Sequence, residues 1–275
     1  MMWTANSFPL EYTQKEPVMN KIPVIISHER FLSRFYYNSE TNIMGKNLFK
    51  HFGLPEGIVV HRDLAERLYS LAPVLEKLHL KFLFTDAYRP VEMQAYLHGH
   101  WKKKTGQEPK FSLADVAKAP HPRGTACDCV LTDENGNKLS FPSSSIKINP
   151  EERNPDFEFS ENTDENKEKI RNRNLLRTLM LCAGVSPINK EWFHFQLPNT
   201  EDYEPVSLEE ARKAEQFPYN QAEVNSEFYD IFSDYQNEEA EGKTHFWIYD
   251  KKYYERFQVI CREEFIAKVR REFNV

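Results

Sequence analysis

Two short segments of this chain combine residue types that could do hydrolytic chemistry: His121-x6-Asp128 and, further along, Glu191-Trp-Phe-His194. Zinc in a catalytic site takes about three protein ligands drawn from His, Asp, Glu and Cys and leaves a further position open for water or substrate. His121, Asp128 and His194 could be those ligands, around one Zn2+ per chain, and Glu191 is then a carboxylate left over to act as a base. That is the parts list of a zinc hydrolase.

The spacing dictates what the backbone must do. Residues 126–132, Ala-Cys-Asp-Cys-Val-Leu-Thr, are β-prone, and side chains alternate faces along a strand. Asp128 therefore shares a face with Ala126 and Val130. Cys127 and Cys129 point the other way, which argues against a thiolate site. His121 lies an odd number of residues back, so it joins Asp128 only if the chain leaves the strand between them, as Gly124 permits. Glu191 and His194 would face opposite sides of a flat strand, so Glu191 is expected on the turn that feeds a strand over residues 192–197. There it could reach water beside a metal without being a ligand.

A third element, Thr85-Asp-Ala-Tyr-Arg89-Pro90, follows an apolar strand over residues 81–84. An arginine at a strand end beside proline can project into a cleft, or it can serve as a surface cation or a brace for its own loop. The surrounding pattern predicts an α+β core, a small antiparallel sheet with helices packed on it around the central zinc cleft. Leu64, Leu68, Leu71, Leu75 and Leu78 recur at helical spacing and predict one amphipathic helix over residues 61–78. A hairpin is expected at residues 130–141, turning at Asn135-Gly136. A second helix is expected over residues 167–183, stopping at Gly184, and the charged, proline-containing residues 149–166 before it are expected to form a loop over the site. Four cysteines (127, 129, 182, 261) show neither triad nor zinc-finger spacing, and the remaining histidines read as surface or capping residues.

At these motifs the chain resembles the D-alanyl-D-alanine dipeptidases, within the wider group of zinc D,D-peptidases. The resemblance rests on Asp86-Ala-Tyr-Arg-Pro90, His121-Pro-Arg-Gly-Thr-Ala-Cys-Asp128, Arg171-Asn-Arg-Asn-Leu-Leu-Arg177 and Glu191-Trp-Phe-His-Phe195, with weaker similarity at Asn42-Ile-Met-Gly-Lys-Asn-Leu-Phe49. It covers roughly residues 20–198. It implies zinc on His121, Asp128 and His194, Glu191 as general base and acid, and Arg89 stabilising the tetrahedral intermediate. Two stretches depart from the family pattern. Lys118-Ala-Pro120 replaces a serine-rich run before the first histidine, and residues 140–148 lack an acid expected to meet the substrate ammonium.

Composition places the motifs in a globular body: 275 residues, 40% hydrophobic and 28% charged. A catalytic domain over residues 1–198 (core about 20–198) followed by a C-terminal extension over 199–275 is the expected organisation. In that extension Ser207-Leu-Glu-Glu210 is a capping box that should open a helix through residue 215. A strand at 244–249 and a helix at 253–273 are expected beyond it. A net charge of -6 argues against nucleic acid as the main ligand. No stretch approaches a membrane span and residues 1–16 lack the apolar core of a signal peptide, so the expected compartment is the cytoplasm, although export without a cleaved signal would leave the same sequence. Three functions fit: a D-Ala-D-Ala dipeptidase, a D,D- or L,D-carboxypeptidase acting on peptidoglycan stem peptides, and a nonenzymatic binding protein on a peptidase scaffold.

Overall fold

A computed structural model describes residues 23–105, 118–142, 163–188, 191–219 and 271. The elements in chain order are β1 (Val24–Ile26), β2 (Phe31–Ser33), α1 (Leu48–Phe52), β3 (Ile58–Val60), α2 (Arg62–Ser70), α3 (Ala72–Lys77), β4 (Leu80–Asp86) and α4 (Val91–Thr105). They continue with β5 (Ala126–Asp133), α5 (Asp164–Cys182), β6 (Ser186–Ile188), β7 (Glu191–Gln196) and α6 (Leu208–Arg212). Five strands form one sheet in the order β2-β4-β5-β7-β6, and β1 pairs with β3 in a separate antiparallel ribbon. Mixed helix and strand are therefore present as expected. The larger sheet is not purely antiparallel, however, because the edge strand β2 runs parallel to β4.

The leucines spaced for one amphipathic helix are all buried, but they are split between α2 and α3. Pro73 stands at the start of α3; it has no N–H to donate and its ring crowds the carbonyl one turn back, so a continuous helix cannot run through it. The Leu71 N–H turns instead to Leu68 O at 3.0 Å, and the apolar stripe survives the break. α3 packs on β4, and α5 packs on β5, β6 and β7. The core lies between them, built from Phe82, Phe84, Leu131, Leu175, Leu179 and Trp192 among others. Cys127 and Cys129 belong to this core as buried free thiols, which agrees with their facing away from Asp128.

α5 begins at Asp164, three residues before the expected start, because the Thr163 side chain accepts the Asn166 N–H and caps it. Gly184 follows the helix in the left-handed region, at φ 69°. The hairpin turn at Asn135-Gly136 forms, with Leu139 N–H donating to Leu131 O at 3.0 Å, but its return arm makes only an isolated bridge, Thr132 to Lys138. Most of the expected loop at 149–166 and the expected strand and helix of the C-terminal extension lie outside the described residues.

Past Pro198 the chain stays on the core as far as it is described. Val206 N–H donates to Pro122 O at 2.8 Å and Phe217 N–H to Ile25 O at 2.9 Å, while the Tyr69 hydroxyl donates to Phe217 O. The capping box at Ser207 and Glu210 is formed, and the helix it opens is short, ending at Arg212. Among the described residues no helix is long and apolar enough to cross a membrane.

Candidate metal centre and active site

Asp128 sits mid-sheet on β5, with His194 of β7 directly opposite it and Asp86 of β4 on its other side. Antiparallel pairing of β5 with β7 thus sets a carboxylate beside an imidazole across adjacent strands. His121 arrives by another route. It opens a single turn of 3-10 helix, His121–Arg123, which ends at Gly124 in the left-handed region, φ 67°. That turn moves His121 off the strand path, as the odd spacing required. Side chains there are not free to grow: a Cβ on Gly124 would lie 2.8 Å from the His61 backbone nitrogen, and Gly124 O accepts that same N–H at 2.7 Å.

One ligand atom each from His121, Asp128 and His194 lies within 4.8 Å of the others. Asp128 Oδ1 is 3.0 Å from His194 Nδ1 and 3.6 Å from His121 Nε2. The rings are held from behind. His121 Nδ1 is 2.6 Å from Ala87 O and His194 Nε2 is 3.0 Å from Gln196 Oε1. A backbone carbonyl only accepts, so His121 Nδ1 carries a proton and Nε2 is the nitrogen that faces Asp128. Two imidazoles and a carboxylate, buried and converging, are the donor set that zinc takes, with outer hydrogen bonds of the kind that orient metal-binding histidines. Among the described residues no other group of three such side chains converges.

The charges in this cluster depend on one another. Burial alone would raise the pKa of Asp128, but the neighbouring charge of His121 and the hydrogen bonds from His121 and His194 outweigh it and hold the carboxyl far below the usual carboxylate range. Burial works against the imidazolium of His194, and the hydrogen bond and charge of Asp128 overcome it, leaving its pKa above the ordinary histidine value.

Glu191 is the first residue of β7, not part of the turn before it. Its reach toward His194 comes from an irregularity in pairing: β6 matches Pro187 to Phe195 but Ile188 to Glu191, so among the described residues, residues 192–194 have no pairing partner in β6. The distortion brings Glu191 Oε2 to 3.9 Å from His194 Nδ1, with the side chain 13% exposed. A flat strand would have sent the two to opposite faces. Glu191 thus stands beside the cluster without belonging to the group of three.

Arg89 is a buried cation. Its Nε and Nη2 donate to Asp86 Oδ2 at 3.2 and 2.5 Å, Nη1 donates to Gln94 Oε1 at 2.7 Å, and the guanidinium lies 5.4 Å from the centre of the Tyr37 ring. Burial disfavours the charge, but Asp86, Tyr37 and Asp128 more than restore it and keep Arg89 protonated. The surface-cation reading is excluded. Arg89 N–H also donates to His121 O at 3.3 Å and Arg123 N–H to Pro120 O at 3.0 Å, so the Arg89 loop and the His121 turn form one unit. The segment after Pro198 closes over that unit: the Arg123 side chain donates to Tyr203 O and the Tyr88 hydroxyl to Val206 O at 2.9 Å.

Gln94, Tyr37 and Gln196 took no part in the sequence reading. Gln196 alone carries a signal that could have found it, since it stands two residues after His194 on one strand and so shares its face. Gln94 and Tyr37 meet Arg89 through the packing of α4 and the β2–α1 connection, for which no local spacing stands. Among the histidines, His61 is buried and accepts the Asp63 N–H at 3.1 Å, a cap for α2. Residues 143–148 of the stretch that lacks the expected acid lie outside the described residues.

A family model described as D-ala-D-ala dipeptidase (Peptidase_M15) matches residues 26–213. A curated D-alanyl-D-alanine dipeptidase of Escherichia coli (strain K12) is 29% identical over 167 residues, covering 61% of this chain and 79% of the relative. The match runs past Pro198, through the segment that ties down the His121 turn. With the family model matching most of the chain, this protein belongs to the D-Ala-D-Ala dipeptidase family of peptidases.

Proposed function

We propose that this protein is a zinc-dependent dipeptidase that hydrolyses D-alanyl-D-alanine, with Glu191 as general base and acid and Arg89 as the oxyanion partner. The observation that carries the reading is the meeting of His121, Asp128 and His194 within 4.8 Å, with Glu191 beside them. His121 Nε2, Asp128 Oδ1 and His194 Nδ1 would hold the zinc. When bound, it would supply Lewis acidity and a water acidified toward neutral pH.

The protein's own groups do the rest. Glu191, at 3.9 Å from His194 Nδ1, is placed to take the proton of an attacking water and to return it to the leaving amine, which asks for hydrogen-bond reach more than for an extreme pKa. Arg89 spends three of its N–H groups on Asp86 and Gln94; a guanidinium has five, so among the described residues two remain for the oxyanion that would develop on the scissile carbonyl. Asp86 and Gln94 fix the guanidinium plane, which keeps this charge from having to reorient during the reaction. A binding module has no chemical use for such a base and such a fixed cation, which weighs against the nonenzymatic reading.

A second reading keeps the same chemistry with a longer substrate. Lys118, Ala119 and Pro120 stand where the family's serine-rich run would hold the dipeptide, and that favours a D,D- or L,D-carboxypeptidase acting on stem peptides. Free D-alanine release from D-Ala-D-Ala and, in parallel, from a stem pentapeptide ending in D-Ala-D-Ala decides between them, with Glu191→Gln as the blank. Release from the dipeptide alone supports the first reading, and release from the pentapeptide supports the second. Silence on both supports the nonenzymatic scaffold.

A further inference from the structure

We infer that Gln196 is a positioning residue for the metal centre, fixing through its side-chain carbonyl which nitrogen of His194 is available as a ligand. The inference rests on the zinc reading above. The two histidines meet Asp128 by different atoms, His121 by Nε2 and His194 by Nδ1. A neutral imidazole has one lone pair and one N–H, and the hydrogen bond made on the far side decides which nitrogen is which. For His121 the far side is Ala87 O, a backbone acceptor that no substitution removes. For His194 it is Gln196 Oε1, 3.0 Å from Nε2, a side chain that the sequence is free to change.

The placement follows from the strand. Gln196 is two residues beyond His194 on β7, so both project from one face, and its backbone is clamped between Ala126 of β5 and Ser186 of β6. Because Oε1 only accepts, Nε2 keeps its proton, which leaves Nδ1, the nitrogen beside Asp128, as the one that would give its lone pair to a bound cation. Without that acceptor both tautomers of His194 are open, and one of them turns an N–H toward the cation. Outer partners of metal-bound histidines are typically worth 10- to 100-fold in metal affinity.

The test is zinc affinity by chelator competition on the full chain, for wild type, Gln196→Leu, Gln196→Glu and His194→Ala, with thermal melting of each metal-free variant alongside. The expected result is a 10- to 100-fold loss for Gln196→Leu and restoration to within a few-fold of wild type, or tighter, for Gln196→Glu, whose carboxylate can only accept. The melting temperatures of the two Gln196 variants should match. Equal zinc affinity in Gln196→Leu and wild type, with His194→Ala binding poorly, overturns this inference and leaves the zinc reading intact. Equal losses in Gln196→Leu and Gln196→Glu also overturn it, since both then report packing alone. If His194→Ala binds zinc as wild type does, the zinc reading falls and this inference with it.

Discussion

Removing the charge of Asp86 while keeping its shape isolates what holds Arg89. In Asp86→Asn the guanidinium loses a carboxylate oxygen at 2.5 and 3.2 Å, with both side chains nearly sealed from water, 5% and 7% exposed. Unit charges at those separations attract by roughly 5–7 kcal/mol at an effective dielectric constant of 20. The desolvation of Arg89 is not refunded when its partner goes, and breaking a buried pair in this way typically costs about 3–5 kcal/mol. For a domain of this size that is a fall in Tm of roughly 6–20 °C. Arg89→Met should cost a similar amount, because Asp86 then stays buried with only the Ala87 N–H to satisfy it. The double variant Asp86→Asn/Arg89→Met should recover at least about 2 kcal/mol of the summed losses, a coupling read from the double-mutant cycle. Its kcat should nonetheless remain about 10²- to 10³-fold below wild type, as expected when a fixed oxyanion partner is removed. Calorimetric or fluorescence melting of the four proteins supplies the cycle. A Tm for Asp86→Asn within about 2 °C of wild type, or strictly additive losses, would refute the reasoning, because Arg89 would then be held by solvent and not by Asp86.

Glu191→Gln keeps the shape beside His194 and removes the proposed base; turnover should drop by about 10²- to 10⁴-fold with zinc content unchanged, and an active variant would exclude Glu191 from the role. Gly124→Ala places a Cβ at φ 67° and 2.8 Å from the His61 nitrogen; a loss of roughly 2–4 kcal/mol is expected from left-handed strain and overpacking together, measured by urea denaturation, and an unchanged midpoint would mean that the His121 turn does not lean on β3 and α2. The hydroxyls of Tyr37, Tyr88 and Tyr203 are all pushed above the ordinary phenol value of 10.0, in each case first by burial. An acid whose folded pKa is raised is released first by the unfolded chain, so stability is intact below pH 10 and declines above it. Urea midpoints at pH 9, 10 and 11 should therefore fall most over the last unit, and Tyr203→Phe should flatten the slope; a flat profile would contradict the burial of these phenols.

The site's components were legible in the sequence where local rules determine them. Gly124 between His121 and Asp128 announced a departure from the strand, and it is made by a left-handed residue. Ser207 and Glu210 announced a cap, and it forms. What stayed hidden depends on contacts between distant segments. β2 is three residues long, Phe-Leu-Ser, too short for any periodicity to reveal that it joins the sheet in parallel. The leucine stripe over residues 64–78 spoke for one helix, and Pro73, which took no part in that reading, breaks it. Glu191 looked like a turn residue because an ideal strand would separate it from His194; the sheet accommodates both through the pairing irregularity with β6. Arg89 could be read as a brace or as a cleft residue, and its hydrogen bonds to Asp86 and Gln94 make it a brace.

The central claim is that three converging side chains hold one catalytic zinc, and stoichiometric zinc titration tests it most directly. Chelated protein is titrated with zinc while D-alanine release from D-Ala-D-Ala is followed, with His121→Ala in parallel. Activity should be absent at the start, rise linearly and stop at one zinc per chain, with none regained by His121→Ala at the same concentrations. Activity that survives chelation, or that His121→Ala recovers on the same curve, would contradict the account.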